Sequence, residues 1–495
     1  MRIVIVGAGV GGIAAAIELR CHGFEDITVL ERGPELGGTW HWNTYPGCAC
    51  DVPSHLYSFS FAQRRDWSRL CSPQDEIRRY LHEVADEFGV TPLVRTGVNV
   101  TTCAFSDATA EWTLCAQDGR EFIADAVILA TGQLHQPAVP RLAGEEQFAG
   151  HRFHSAAWDH DYDLDGKQVA VIGTGASAVQ FVPEIVDRVG RLHVFQRTGN
   201  WFMPRRNRPY PAPYHWLIEH APALQAFRRG FWMRYGEFLT LMIRHPRTWG
   251  RVGALVSRLF MRSQLRDPEV RRRAWPDYTF GCKRVLFSSQ FLPALQAPNA
   301  ELITEPITSL TQRGILTADG TERQVDCIIY GTGFRTTEFM FPMEVTGSAG
   351  RNLREAWAEG PHAHLGISVP GFPSLFLVYG PNTNTSGGSI IFYEETQVAY
   401  IRQAIEHVVR SGAAAIDVRP EVEAASDQAL QARFVGTAWT ACDSWYRTAD
   451  GRIVTNWPGY MSEYGDRLRR LEPGEFRLVP APERAPDAAP QPVAV

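Results

Sequence analysis

Lysine is almost missing: of 49 basic residues only Lys167 and Lys283 are lysine, and the rest are arginine. Codon bias in a GC-rich genome accounts for that, so arginine counts carry little information and arginine positions must carry the argument. An excess of positive charge is also lacking. The formal net charge is −5 over 495 residues, which argues against a chain that tracks nucleic-acid phosphates, because such chains gather Lys and Arg on one face. The nine cysteines are scattered without paired spacing, which fits a reducing cytosol better than a disulfide framework. Cys48 and Cys50 form a CxC, not a redox CxxC, and no four-ligand Cys/His spacing occurs, so no metal site is expected. No apolar run approaches the ~20 residues of a membrane span. The first apolar strand starts directly after Met1, leaving no room for a signal peptide. The expectation is a cytoplasmic protein of two or three domains acting on small molecules, with no nucleic-acid partner and no integral membrane span, as a monomer or small homo-oligomer.

What is present is a repeated dinucleotide-binding start. Residues Arg2 to Val6 form an apolar run entering Gly7-Ala8-Gly9-Val10-Gly11-Gly12 and then a helical stretch. A strand feeding glycines at this spacing into a helix lets backbone N–H groups meet a pyrophosphate at a positive helix end. The next strand, Ile27 to Leu30, ends in Glu31, 24 residues after Gly7, where a carboxylate holds ribose hydroxyls. The pattern recurs: Val169 to Ile172 enters Gly173-Thr174-Gly175-Ala176-Ser177-Ala178, and the same offset of 24 lands on Arg197. One unit offers a carboxylate to a ribose and the other a guanidinium to a 2′-phosphate, which predicts FAD in the first and NADPH in the second.

A second echo supports duplication. Asp118-Gly119 precedes Ala130-Thr131-Gly132, and Asp319-Gly320 precedes Gly331-Thr332-Gly333, with 13 residues from Gly119 to Gly132 and from Gly320 to Gly333. Asp-Gly is a strong hairpin signal. The fold class expected is α/β: two Rossmann-like dinucleotide-binding domains, FAD and NADP, with β-hairpin insertions and a helical insertion in the NADP domain. The divisions expected are 1–145 for the first part of the FAD domain, 146–335 for the NADP domain with its insertion at about 204–275, 336–480 for the second part of the FAD domain and substrate-site elements, and 481–495 for a disordered tail. The insertion, rich in Arg and aromatic residues, reads as a helical subdomain packed on the nucleotide fold, or alternatively as an apolar substrate entry or membrane-surface patch.

The segment between the units reads Phe148, Gly150, His154, Trp158, Asp159 at the spacing FxGxxxHxxxWD, and upstream stand Gly37-Gly38-Thr39-Trp40, Tyr45-Pro46-Gly47 and Asp51. The chain thereby resembles the Baeyer–Villiger monooxygenases, and the likeness runs through Phe195 to Trp201, Cys282-Lys283-Arg284, Gly331 to Phe334, Gly380 to Thr383 and Cys442 to Tyr446. The resemblance implies that NADPH reduces FAD, that reduced flavin traps O2 as a C4a-peroxide, and that a ketone becomes an ester or lactone. It places Arg284 as the catalytic cation and Asp51 as the residue that orients it, with a guanidinium stabilising negative charge on oxygen in a site shielded from water. Cofactor contacts are implied for Gly7, Gly9, Gly12, Glu31, Arg32, Gly38, Thr39, Trp40, Asp51, Tyr57, Val100, Thr131, Gly333 and Asn382. On the NADP side they are implied for Gly173 to Ala178, Arg197, Thr198 and Lys283. Trp445 is implied at the substrate pocket. Phe148, Gly150, His154, Trp158 and Asp159 form a hinge fingerprint, with His154 and Trp158 facing one side of a short helix. One departure is Ala49 before Cys50-Asp51, where family members often carry Arg. The alternatives are an N- or S-oxygenating flavin monooxygenase and, more distantly, a redox-silent flavoprotein sensor; a flavin disulfide reductase fits poorly without a CxxC.

Overall fold

In a computed structural model, which describes residues 1–205, 207–385 and 387–482, the two glycine-rich starts open two five-stranded parallel sheets of one plan. The strand Ile3–Val6 is buried throughout, as an unbroken apolar run requires of a central parallel strand. It pairs with Ile27–Leu30 on one side and Ala126–Leu129 on the other, with Val94–Arg95 and Leu375–Leu377 outermost. In the second sheet Gln168–Ile172 holds the same central place between Arg191–Phe195 and Cys327–Tyr330, flanked by Ala300–Ile303 and His151–His154. Only the fifth strands differ in origin. The first sheet takes Leu375–Leu377 from beyond the second unit, so the chain leaves the first fold, builds the second and returns.

Both Asp-Gly pairs sit in antiparallel hairpins, between Glu111–Ala116 and Glu121–Ala124 and between Gly314–Thr317 and Glu322–Gln324. One apolar core runs through both nucleotide folds, from Ile3 and Ile5 to Val169, Val171 and Val194. Each such side chain contributes roughly 1.5–3 kcal/mol by leaving water, which fixes the two cradles relative to each other. The insertion folds as helices Ala212–His220, Pro222–Arg244, Trp249–Gln264 and Pro268–Ala274. Its base is tied to the second fold by the short pair Phe202–Met203 and Leu286–Phe287 and by Ser257, whose hydroxyl donates to Phe202 O at 2.7 Å. Among the described residues no helix is long and apolar enough to cross a membrane. The tail expected at 481–495 lies outside the described residues from 483 onward.

The expectation that His154 and Trp158 share a helical face fails. Residues His151–His154 are extended because they pair in register with Cys327–Tyr330, His154 opposite Tyr330. The backbone then makes a single tight turn, Ser155–Ala157, in which His154 Nδ1 accepts from Ala156 N at 3.1 Å. Trp158 instead packs on Phe153 and Phe181, with ring centroids 5.1 and 5.2 Å away. Phe148 is buried, and a Cβ on Gly150 would come within 2.7 Å of Asp326 O. Asp159 Oδ2 lies 2.8 Å from His151 Nε2. The fingerprint residues thus pack on the second fold, where the chain enters it from the first.

Candidate active site

Close backbone approach shapes both glycine loops. Gly7 and Gly173 each sit at φ +105°, and a Cβ on either would stand 2.4 Å from the carbonyl oxygen of Ala130 or Gly331. A Cβ on Gly12 would stand 1.8 Å from Gly7 O, so only glycine fits there. The helices Val10–Cys21 and Ala176–Ile185 begin after Gly9 and Gly175 with no side-chain cap. Their first-turn N–H groups are left for an anion at a positive helix end. Thr174, Gly175, Ala176, Ser177 and Ala178 run through this second turn, with Gly175 and Ala176 exposed. On these observations the two cradles fit two dinucleotides.

The carboxylate and cations flanking the loops differ as their positions require. Glu31 is 5% exposed and accepts from Ala8 N at 2.8 Å and Gly33 N at 2.7 Å, which fixes its carboxylate beside the first loop. Arg197 at the equivalent place in the second fold is exposed, with Thr198 half-buried beside it. Lys283 reaches the same region from far along the chain, its Nζ 4.8 Å from the Tyr278 ring centre. Burial, then the Arg197 charge, hold the Lys283 ammonium below its ordinary pKa. Two cations therefore converge where a phosphate would relieve their repulsion.

Between the cradles, Arg284 Nη2 donates to Asp51 Oδ2 at 2.6 Å. Arg284 is 39% exposed and Asp51 23%, so the pair is half-buried. Burial alone would raise Asp51, but Arg284 and then Arg205 outweigh it and hold the carboxyl below its usual range. Asp51 in turn keeps Arg284 more firmly protonated than a free guanidinium. Arg205 also donates to Cys50 O at 2.6 Å, bracing the same turn from the second fold. Trp40, in the turn that follows Gly38 and Thr39, is nearly buried; its Nε1 donates to Tyr57 Oη at 3.1 Å.

Other expected contacts are placed less directly. The Arg32 guanidinium lies 5.2 Å from the Trp42 ring centre. Val100 opens the hairpin strand Val100–Ser106, and Thr131 Oγ1 lies 3.4 Å from Met340 Sδ. Gly333 turns at φ +80° with open space beside it. Asn382 donates its amide to Ile453 O at 2.8 Å and Asn456 O at 3.0 Å, so those donors are engaged within the chain. Trp445 is 38% exposed, whereas its neighbour Tyr446 is buried.

Several site residues carry no signal in the sequence. Arg284 draws down the pKa of two phenols, half-buried Tyr379 and buried Tyr446, although desolvation is the larger influence and leaves Tyr446 pushed up to about 12. These phenols share polar neighbours: Tyr379 Oη donates to Asn384 Oδ1 at 3.0 Å, Asn384 Nδ2 donates to Asn456 Oδ1 at 3.1 Å, and Asn456 also draws down the Tyr446 phenol. Gln180, from the second fold, accepts from Ala49 N at 3.2 Å and donates to Ala49 O at 2.8 Å. That grips the backbone directly before Cys50-Asp51. The expectation of unpaired thiols also needs correction: Cys282 and Cys442 form a disulfide with Cα atoms 6.1 Å apart, and a separation of 160 residues left spacing silent about it. The bridge ties the residue before Lys283-Arg284 to the loop carrying Trp445 and Tyr446.

Comparison with known proteins places the chain in a family. A family model described as pyridine nucleotide-disulphide oxidoreductase matches residues 4–210. A Baeyer-Villiger monooxygenase of Streptomyces coelicolor is 41% identical over 97% of this chain and 93% of its own length. One from Pseudomonas aeruginosa is 38% identical over 97% and 92%. The chain belongs to the Baeyer–Villiger monooxygenases. As a member it is an enzyme, which sets aside the redox-silent sensor. A crystal structure of OTEMO in complex with FAD and NADP superposes on this monooxygenase with a TM-score of 0.87, 26% identity, and coverage of 97% of this chain and 99% of that one.

Proposed function

We propose that this Baeyer–Villiger monooxygenase uses NADPH and O2 to insert one oxygen atom beside a ketone carbonyl, giving an ester or lactone, with Arg284 as the fixed cation of the reaction. The observation that carries the reading is the Arg284–Asp51 pair, held at 2.6 Å between two dinucleotide cradles. When bound, FAD and NADPH would supply the redox and oxygen-activating chemistry. The chain's own residues bind, orient and shield. Gly7, Gly9, Gly12 and Glu31 hold FAD through pyrophosphate and ribose, and Arg32, Gly38, Thr39, Trp40, Tyr57, Val100, Thr131, Gly333 and Asn382 line its approach. Gly173 to Ala178 hold the pyrophosphate of NADPH, and Arg197, Thr198 and Lys283 hold its 2′-phosphate.

Arg284 keeps its charge at any working pH, so negative charge developing on oxygen is matched by a positive group already in place. Asp51 aims that guanidinium and is itself kept ionised by it. Trp445 borders the substrate pocket, and Phe148, Gly150, His154, Trp158 and Asp159 stand where the chain enters the second fold from the first. On this reading the chain divides as 1–145 and 336–480 for FAD and 146–335 for NADP, supported by the return of Leu375–Leu377 to the first sheet. A cytoplasmic location accords with use of NADPH. The test is a panel of ketones scored by product mass, since NADPH loss alone is mimicked by uncoupled O2 reduction. Arg284→Ala should retain bound flavin and lose ester formation; an Arg284→Ala protein that makes ester at the parental rate overturns the assignment.

A further inference from the structure

Ten of the nineteen exposed large hydrophobic residues among those described lie between Trp216 and Leu259, in the helical insertion. Phe227, Phe231 and Phe238 recur along one face of helix Pro222–Arg244 with exposures of 69%, 52% and 37%. Val252, Leu255 and Leu259 do the same on helix Trp249–Gln264, and the Phe238 and Trp249 rings meet edge-on at 5.8 Å, joining the two stripes. A helix of a globular fold normally turns its large apolar side chains inward. Here the inward residues of the second helix are Gly250, Gly253, Ser257 and Met261, and the large aliphatic ones face out. Packing within the fold does not account for them.

Charge selects what covers this face. Residues 212–264 hold eight arginines and two glutamates, a net +6 in a chain whose total is −5. Arg229 and Arg244 are paired with Glu395 and Glu463, while Arg234, Arg247, Arg251, Arg258 and Arg262 are exposed around the apolar stripe. Arg247, Arg251 and Arg258 share the rim of an open cavity of about 650 Å³, with the Arg258 guanidinium 5.4 Å from the Trp201 ring centre. A second copy would bring two positive faces together, whereas an anionic lipid surface attracts each arginine and accepts the aromatic and aliphatic side chains. We propose that this face docks on an anionic lipid bilayer, with head groups among the arginines and the apolar stripe in the interface. Helix Pro222–Arg244 also abuts the site: a Cβ on Gly236 would lie 2.9 Å from Gly388 Cα, in the segment that carries Asn382 and Asn384. Docking therefore brings the site loops next to a phase in which apolar ketones dissolve. The inference goes beyond the proposed reaction and stands independently of it.

The test is co-sedimentation of the full flavin-loaded chain with vesicles of phosphatidylcholine alone or enriched in phosphatidylglycerol. Binding is expected to the second kind and to be released by high salt. Leu255→Ser with Leu259→Ser, and separately Arg247→Glu with Arg251→Glu, should each lower vesicle affinity at least about tenfold. Unchanged flavin content and unchanged turnover of a water-soluble ketone in both double variants would show that they are folded. No binding to anionic vesicles at low salt overturns the proposal. So does light scattering that shows a stable dimer dissociated by the Leu255→Ser, Leu259→Ser pair, which would make a second copy the occupant.

Discussion

Replacing Asp51 with asparagine keeps the shape of the side chain and removes the charge against which Arg284 is aimed. A hydrogen bond to a charged group is worth about 1.5–3 kcal/mol, and exposed pairs are worth less, so about 2 kcal/mol suits this half-open pair. Spent on the reacting oxygen, that is roughly a 30-fold loss in kcat for ester formation. The KM for NADPH should move by less than about twofold, because the 2′-phosphate contacts lie elsewhere. Steady-state kinetics with product quantified by mass spectrometry measure both. The acid limb of stability gives a second readout. Asp51 has a folded pKa below its ordinary value, so its contribution is fully present above the unfolded pKa and is lost as pH falls through the folded one. The parent should therefore lose more stability than Asp51→Asn between about pH 5 and pH 2. An Asp51→Asn enzyme that forms ester at the parental kcat refutes the idea that this ion pair positions Arg284.

Arg197→Ala should raise the KM for NADPH about 10- to 100-fold and leave that for NADH within about twofold; equal changes in both reject Arg197 as a 2′-phosphate ligand. Gly12→Ala would set a Cβ 1.8 Å from Gly7 O, so the purified variant should carry little or no flavin by absorbance, and a full complement of flavin would contradict the cradle. Glu394 is buried in helix Ile390–Ser411, and burial, then Glu395, push its carboxyl up to about 8. A carboxyl raised in the folded state costs stability as pH climbs from the unfolded value to the folded one. Glu394→Gln should therefore stabilise the protein at pH 8 relative to pH 4.5, by at most about 5 kcal/mol, in urea titrations; a parallel pH dependence in both proteins would refute this.

Local signals marked the parts of the fold that local physics decides. The apolar runs before Gly7 and Gly173 are central strands, both Asp-Gly pairs turn hairpins, and the insertion is helical where the sequence implied it. His154 and Trp158 were misread as helical neighbours because pairing of His151–His154 with a strand more than 170 residues later overrides any local preference. Glu31, Arg197, Asp51 and Arg284 stand out in the sequence by offset or motif position alone, and folding brings Arg284 within 2.6 Å of Asp51. The site was illegible where contact is made only by folding. Tyr379, Asn384, Tyr446 and Asn456 meet across separate loops, Gln180 reaches Ala49 between folds, and Cys282 meets Cys442. None of these has a periodicity or spacing to betray it.

The loop that faces Arg284 has a bearing on how the enzyme is made. Tyr446 and Asn456 complete the phenol and amide cluster beside the arginine, and they leave the ribosome after every strand of both parallel sheets. A nascent chain can thus shape its two cofactor cradles before the wall that turns them into a working oxygenase has been synthesised.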